Sequence, residues 1–181
     1  MRSYRNLSAI IVAVLLLAGC ASAPLDYPKE PSVALVDTAG GSEAQRVSEW
    51  LDGRENVNGF FPLTQGFDAF GVRLGLISAA EYSIDAQYFL MSPDNAGLVF
   101  AGKLFQAADR GVRVRLLLDD IFTTVDDVDL ATLNEHPNIE VRIFNPISRK
   151  GIYAFNYLGH FSLANRRMHN KSFTVDNQVS V

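Results

Sequence analysis

The chain has 181 residues, of which 48% are hydrophobic and 20% charged, with a formal net charge of −4 and a single cysteine. This composition excludes a largely disordered chain, a fibrous repeat and a small fold held together by disulfides. Only one long apolar stretch exists, at the N-terminus, which excludes a protein that crosses a membrane several times. The rest of the chain is sufficient for one domain of ordinary size.

The first twenty residues have the features of an export signal. Arg2 and Arg5 precede an apolar run over residues 9–18, which is too short to span a bilayer comfortably. The sequence Leu-Ala-Gly-Cys then ends at Cys20 and resembles a bacterial lipobox. This resemblance implies that residues 1–19 are a signal peptide and that Cys20 is lipidated. The alternative is an ordinary signal peptide in which the cysteine is incidental.

A lipidated cysteine predicts a membrane-anchored lipoprotein that faces the periplasm. Cys20 is followed by Ala21 and not by the aspartate associated with retention in the inner membrane, so an outer-membrane location is favoured. Residues 20–45 contain three prolines and a glycine pair, with few large apolar side chains. They predict a flexible tether between the lipid and a folded part over residues 46–181.

Beyond the tether, the pattern alternates between helix and strand. Apolar spacing predicts helices over residues 42–50, 66–80 and 126–135, and a further helix that ends before Gly111, with Leu98, Ala101, Phe105 and Ala108 on its buried face. Strands are predicted over residues 82–91, 112–118, 139–144, 171–175 and 178–181. This order predicts an α/β fold with a mixed β-sheet flanked by helices.

The last two predicted strands are joined at Asp176-Asn177, and the second of them has only four residues. A strand that ends in mid-pattern leaves backbone groups unpaired. We therefore expect this chain to be the front part of a longer protein.

Charge is distributed unevenly along the chain. Residues 20–145 carry 9 basic and 19 acidic side chains, whereas residues 146–181 carry 5 basic side chains and one acidic. Arg166, Arg167 and Lys171 lie within six residues and bracket a histidine. A cationic patch on an acidic protein predicts an anionic partner, and phosphate fits this requirement. The overall acidity argues against a long nucleic acid.

The histidine of this patch is His169, two residues before Lys171. In a strand, residues two apart share a face, so an imidazole and an ammonium would lie side by side. A neutral imidazole can attack phosphorus, and the lysine would neutralise charge on the phosphoryl oxygens. Asp176 lies an odd number of residues from both, so its position in the turn favours a structural role. Asp119 and Asp120 end an earlier strand, where they are predicted to cap the next element.

The string His169-x-Lys171-x-x-x-x-Asp176 resembles the HxKxxxxD signature of the phospholipase D superfamily. Its surroundings, residues 165–173, are similar to the branch related to cardiolipin synthases, as are residues 79–91, 107–120 and 137–146. The resemblance extends over residues 46–181. It implies the first lobe of a phospholipase D-like fold, incomplete at its C-terminus.

The resemblance also implies an activity that uses neither a metal nor another cofactor. His169, Lys171 and Asp176 would be the catalytic motif, and a phosphohistidine would form on His169 during phosphodiester transfer. Lys171, Asn170 and Arg167 would bind the phosphate of a phospholipid such as phosphatidylglycerol. Transfer to the hydroxyl of another headgroup would give cardiolipin, and transfer to water would give phosphatidic acid.

The chain departs from this family in having one motif where those enzymes have two. Neither His136 nor His160 is followed by lysine two residues later; His136 is predicted to be a surface residue and His160 a core residue. The second lobe would come from a missing C-terminal half, which we favour, or from a partner in a homodimer. Two other functions remain open: a dimeric nuclease or phosphodiesterase of the same superfamily, and an inactive lipoprotein.

Overall fold

We describe residues 28–148 and 161–181 in a computed structural model of the chain. The predicted signal peptide, Cys20, His160 and the pair Arg149-Lys150 lie outside these residues. The helices are α1 (Ser42–Leu51), α2 (Gly66–Ala79), α3 (Asn95–Asp109), α4 (Asp127–Asn134) and α5 (Phe161–Ala164). The strands are β1 (Ser83–Tyr88), β2 (Arg113–Asp119), β3 (Ile139–Phe144), β4 (Lys171–Val175) and β5 (Val179–Ser180).

These strands form one mixed sheet in the order β3-β2-β1-β4-β5, which confirms the predicted fold class. Strands β1, β2 and β3 are parallel, β4 is antiparallel to β1, and β5 is antiparallel to β4. Tyr88, at the end of β1, is opposite Lys171, at the start of β4. The carboxyl ends of the three parallel strands and the amino end of β4 therefore meet at one edge of the sheet, which we call the carboxyl edge.

One face of the sheet forms the core with the helices. Alternate residues of β1 and β4, such as Ile84, Ala86 and Phe173, are buried on this face, as the period-2 pattern predicts. Phe100 of α3 packs edge-on against Phe173, with ring centroids 6.0 Å apart. Full burial of one such side chain stabilises the fold by about 1.5–3 kcal/mol. This packing fixes the position of β4, the strand that begins at the carboxyl edge.

Helix α3 has the predicted extent but buries only part of the predicted face. Its first turn is capped by Asp94, whose Oδ1 accepts a hydrogen bond from the Gly97 amide at 2.8 Å. The prediction of a buried stripe containing Leu98 and Phe105 is wrong, because both side chains are exposed. The other two residues of the predicted stripe do face the core, since Ala108 is buried and Ala101 packs against it, and Phe100, Leu104 and Ala107 complete this contact.

The part of the predicted tether that the structure describes packs against the sheet and is therefore not a free linker. Ser32 donates a hydrogen bond from Oγ to Glu140 Oε2 at 2.6 Å, and Arg113 donates one from Nη1 to the Val33 carbonyl at 2.8 Å. Partial burial raises the pKa of Glu140, but hydrogen bonds from Ser32 and Arg142, together with the charges of Arg142 and Arg113, leave it below its usual value. Helix α1 begins at Ser42, as the apolar spacing predicts.

None of the helices in the described ranges has both the length and the apolar character that crossing a bilayer requires. The longest of these helices is α3, with 15 residues.

Candidate functional site

Two residues of the predicted motif, His169 and Lys171, lie at the carboxyl edge of the sheet. Lys171 begins β4, and His169 lies two residues before it, opposite the end of β1. The Phe89 amide donates a hydrogen bond to the Asn170 carbonyl at 3.1 Å, which extends the pairing of these two strands beyond Tyr88. Ligands of open α/β sheets bind at the carboxyl ends of parallel strands, so these two residues lie where a substrate site is expected.

His169 and Lys171 both contact the ring of Phe89. The imidazole of His169 lies 4.4 Å from the Phe89 ring, centroid to centroid, at an interplanar angle of 53°. The Lys171 Nζ lies 5.1 Å from the same centroid. Both side chains are exposed, and among residues 28–148 and 161–181 neither has a hydrogen-bond or ion-pair partner. The imidazole and the ammonium thus contact the same ring at the surface, which is consistent with their two-residue spacing.

Asp119, at the end of β2, fixes the segment that leads into His169. Its side chain is fully buried, and its Oδ2 accepts a hydrogen bond from the Met168 amide at 2.8 Å. Its Oδ1 lies 3.0 Å from Arg167 Nη1 in an ion pair that is almost wholly buried. We predicted a local cap for Asp119, and its Oδ1 does accept from the Ile121 amide at 3.2 Å. Its main partners, however, are 48 and 49 residues away.

Arg167 was predicted to bind substrate phosphate, and its contacts assign it a structural role instead. Besides Asp119, the guanidinium donates hydrogen bonds to the carbonyls of Leu163 at 2.7 Å, Asn145 at 3.1 Å and Arg166 at 3.0 Å. Four of the five N–H donors of a guanidinium are therefore used within the protein. Little of this side chain remains to contact a ligand.

Asn170, the other predicted phosphate ligand besides Lys171, is bound on the opposite side of the strand. Its Nδ2 donates a hydrogen bond to Gln87 Oε1 at 2.7 Å. Alternate residues of a strand point to opposite faces, so Asn170 does not share the Phe89 ring with its two neighbours. Lys171 is thus the predicted phosphate ligand whose side chain lies beside His169.

Asp176, the last residue of the motif, lies at the far end of β4 from His169. It has a φ of 49° in the β4–β5 turn and its side chain is fully buried. The carboxylate accepts hydrogen bonds from the backbone amides of Glu81 at 3.0 Å and of Tyr82 and Ser83 at 2.8 Å each. These contacts support the structural role indicated by its position in the strand, because they connect the turn to the start of β1.

Tyr88 and His136 are two further polar side chains that lie near the core. Burial raises the pKa of Tyr88, which the charge and the hydrogen bond from Arg73 only partly offset, so its hydroxyl is neutral at physiological pH. His136 was predicted to be a surface residue, but its ring is mostly buried, packs against Phe105 at 5.0 Å and accepts a hydrogen bond from the Asn138 amide at 3.1 Å. His136 lies away from the carboxyl edge, whereas Tyr88 lies at this edge, opposite Lys171.

Sequence reasoning missed two residues of this site. The sequence predicts Phe89 only as a residue of a strand, because no local sequence feature distinguishes it from other aromatic residues. Asp119 did carry a signal, because an acidic pair directly after a buried apolar run marks the carboxyl end of a central strand.

Residues 74–181 match the family described as Cardiolipin synthase, PLD-like domain. The chain is 49% identical over 123 residues to Cardiolipin synthase C of Escherichia coli, a match that covers 68% of this chain and 26% of that protein. It is also 38% identical over 170 residues to an uncharacterized protein of Helicobacter pylori, covering 93% of this chain and 34% of the relative. The chain thus spans about a quarter to a third of the curated relatives that it matches.

Among solved structures, the chain is similar to NucT from Helicobacter pylori, with a TM-score of 0.45 and 18% identity over 63% of this chain and 64% of that one. It is also similar to Nuc from Salmonella typhimurium, described as a phospholipase D family member, with a TM-score of 0.35 and 25% identity over 59% of this chain and 57% of that one. The match to the family covers more than half of the chain. The chain therefore belongs to the phospholipase D-like domain family of the cardiolipin synthases.

Proposed function

We propose that this chain supplies one lobe of an enzyme that transfers phosphodiesters between phospholipids, with His169 as the nucleophile. The observation that carries the proposal is the pairing of an exposed imidazole and an exposed ammonium on one ring, at 4.4 and 5.1 Å from its centroid. The location of both side chains at the edge where open α/β sheets bind ligands supports the proposal, because an imidazole there could attack phosphorus.

In the first step, a ring nitrogen of His169 attacks the phosphorus of the lipid phosphodiester. A P–N bond forms, the bond from phosphorus to one alkoxide breaks, and a second histidine donates a proton to the departing oxygen. The ammonium of Lys171 stabilises the negative charge on the non-bridging oxygens. The product of this step is a phosphohistidine that retains the phosphatidyl group.

In the second step, the histidine that gave up its proton removes one from an incoming hydroxyl. The hydroxyl oxygen attacks phosphorus, the P–N bond breaks and His169 is restored. A glycerol headgroup as acceptor gives cardiolipin, and water gives phosphatidic acid. The second histidine would come from a second lobe, which is consistent with the greater length of the curated relatives.

A phospholipid substrate is supported over nucleic acid by two observations. The chain is 49% identical over the matched region to a protein named Cardiolipin synthase C. In addition, the chain carries a formal net charge of −4, and a protein that tracks a polyanion is usually basic. We further propose that Cys20 is lipidated and holds the enzyme at the periplasmic face of the outer membrane, where phospholipids would be available to it.

The test is an assay of the complete gene product on vesicles that contain phosphatidylglycerol, with cardiolipin and phosphatidic acid measured by mass spectrometry. His169→Ala is expected to lower kcat by about 10³-fold or more, because it removes the nucleophile. His136→Gln is the matched control, since it changes a histidine outside the site, and it should retain activity. The proposal would be contradicted if kcat/KM for cleavage of plasmid DNA were higher than kcat/KM for conversion of the lipid. An active His169→Ala variant would contradict it as well.

A further inference from the structure

A third side chain is built into the carboxyl-edge site, and neither the motif nor the family match assigns it a role. Phe89 is the first residue after β1, and its half-buried ring is the shared contact of His169 and Lys171. We infer that Phe89 is the positioning residue of the site, which holds the imidazole and the ammonium in a fixed mutual arrangement. This inference rests on the proposed function.

Phe89 has two further contacts, one through its ring and one through its backbone, and these fix its position. Its ring centroid lies 4.6 Å from that of Phe122, in the loop after β2. Its backbone amide is hydrogen-bonded to the Asn170 carbonyl. The same loop follows Asp119, the last residue of β2, which binds the Met168 amide. The segment from Met168 to Lys171 is thus held through its backbone by Asp119 and Phe89, and through its side chains by the Phe89 ring.

A phenyl ring suits this role for a chemical reason. Its negative face attracts an ammonium at a distance of about 6 Å or less, and its edge and face pack against an imidazole without accepting a proton from it. A carboxylate in the same place would position both groups too, but it would neutralise the charge that the phosphoryl oxygens require. Phe89 can therefore restrict two exposed side chains while leaving their polar atoms available to the phosphate.

The test compares Phe89→Leu with Phe89→Tyr in the complete gene product. Leucine keeps the apolar contact and removes the ring, whereas tyrosine restores the ring. The substrate is a short-chain, monomeric phosphatidylglycerol, so that weaker binding to vesicles does not affect the rate. Phe105→Leu is the matched control, because Phe105 packs on His136 in the same way, away from the site.

Phe89→Leu is expected to lower kcat about 10- to 100-fold and to change KM little. The reason is that small errors in the position of reacting groups slow the chemical step by this amount. Phe89→Tyr should restore most of the rate, and Phe105→Leu should leave it unchanged. The ring protons of His169, observed by NMR after labelling of the histidines, should lose their ring-current shift in Phe89→Leu and regain it in Phe89→Tyr.

An active wild-type protein whose Phe89→Leu variant keeps its kcat, or whose His169 signals do not move, would overturn this inference alone. A wild-type protein without turnover would overturn the proposed function and the inference with it.

Discussion

Two buried carboxylates hold the segment that carries His169, one near each end. Asp119 accepts a hydrogen bond from the Met168 amide, and Asp176 accepts three from the backbone that leads into β1. Hydrogen bonds from N–H groups to a carboxylate are stronger than neutral ones, and buried amides left without a partner are costly. The site itself can therefore stay exposed, because its rigidity comes from buried residues on either side.

Asp176→Asn tests the structural role of the last residue of the motif. Asparagine has the same shape and tolerates the positive φ of the turn, but it presents fewer acceptors to the three amides. We expect the free energy of unfolding to fall by about 1–3 kcal/mol, measured by urea denaturation, while the folded fraction keeps its kcat. A variant of unchanged stability that has lost its turnover would show instead that Asp176 takes part in the chemistry.

At the level of single residues, the sequence predicts the proximity of His169 and Lys171 but not the contacts of their neighbours. The two-residue spacing of His169 and Lys171 is sufficient to predict that they share a face, because the alternation of side chains along a strand is a local property. Arg167 belongs to the same basic cluster, and its structural role could not be predicted because its acidic partner is 48 residues away. Local patterns cannot distinguish a cation that meets a ligand from one that pairs inside the protein.

At the level of elements, the strands were predicted closely because burial on one face of a sheet produces a strict period of two. β3 was predicted over the residues that it occupies, and β4 likewise. For α3 the extent was predicted but the buried face only in part, because apolar residues occur almost all round this helix. Leu98 and Phe105 are exposed although they are hydrophobic, and only the packing against the sheet identifies Phe100 and Leu104 as core residues.

The start of α3 offers a sharp test of how this helix is joined to β1. A Cβ added to Gly97 would lie 1.9 Å from the carbonyl oxygen of Ser92, so the backbone would have to move. We expect Gly97→Ala to lower the free energy of unfolding by about 1–3 kcal/mol, measured by urea denaturation.

The matched control for this substitution lies in the same helix. Nothing lies within 4 Å of a Cβ added to Gly102, so Gly102→Ala should stabilise the protein by about 0.5–1 kcal/mol through helix propensity. Equal effects of the two substitutions would contradict the described connection between β1 and α3.

At the level of the whole molecule, the proposed mechanism requires one nucleophile from this lobe and a second proton-transfer group from elsewhere. The curated relatives are three to four times as long as the part that this chain matches. A second lobe would have to approach the carboxyl edge, since the phosphorus must lie between His169 and the second histidine. That requirement follows from in-line displacement and is independent of which lipid is the acceptor.

Attachment to the membrane is a separate prediction, which rests on the proposed lipidation of Cys20. We expect Cys20→Ser to prevent incorporation of labelled fatty acid and to release the protein from the membrane fraction, because several acyl chains hold a protein far more firmly than one. Release should leave the rate on a monomeric lipid unchanged. A Cys20→Ser variant that remains in the membrane fraction would refute lipidation at this residue as the anchor.

In the proposed mechanism, the imidazole of His169 becomes covalently attached to the substrate phosphate. The most direct measurement is to mix the complete gene product with phosphatidylglycerol, quench within one turnover and map the modified peptide by mass spectrometry under conditions that preserve phosphohistidine. We predict a phosphatidyl adduct on His169 that disappears when an acceptor alcohol is added. Turnover without any adduct on His169, or an adduct on another residue, would contradict the claim.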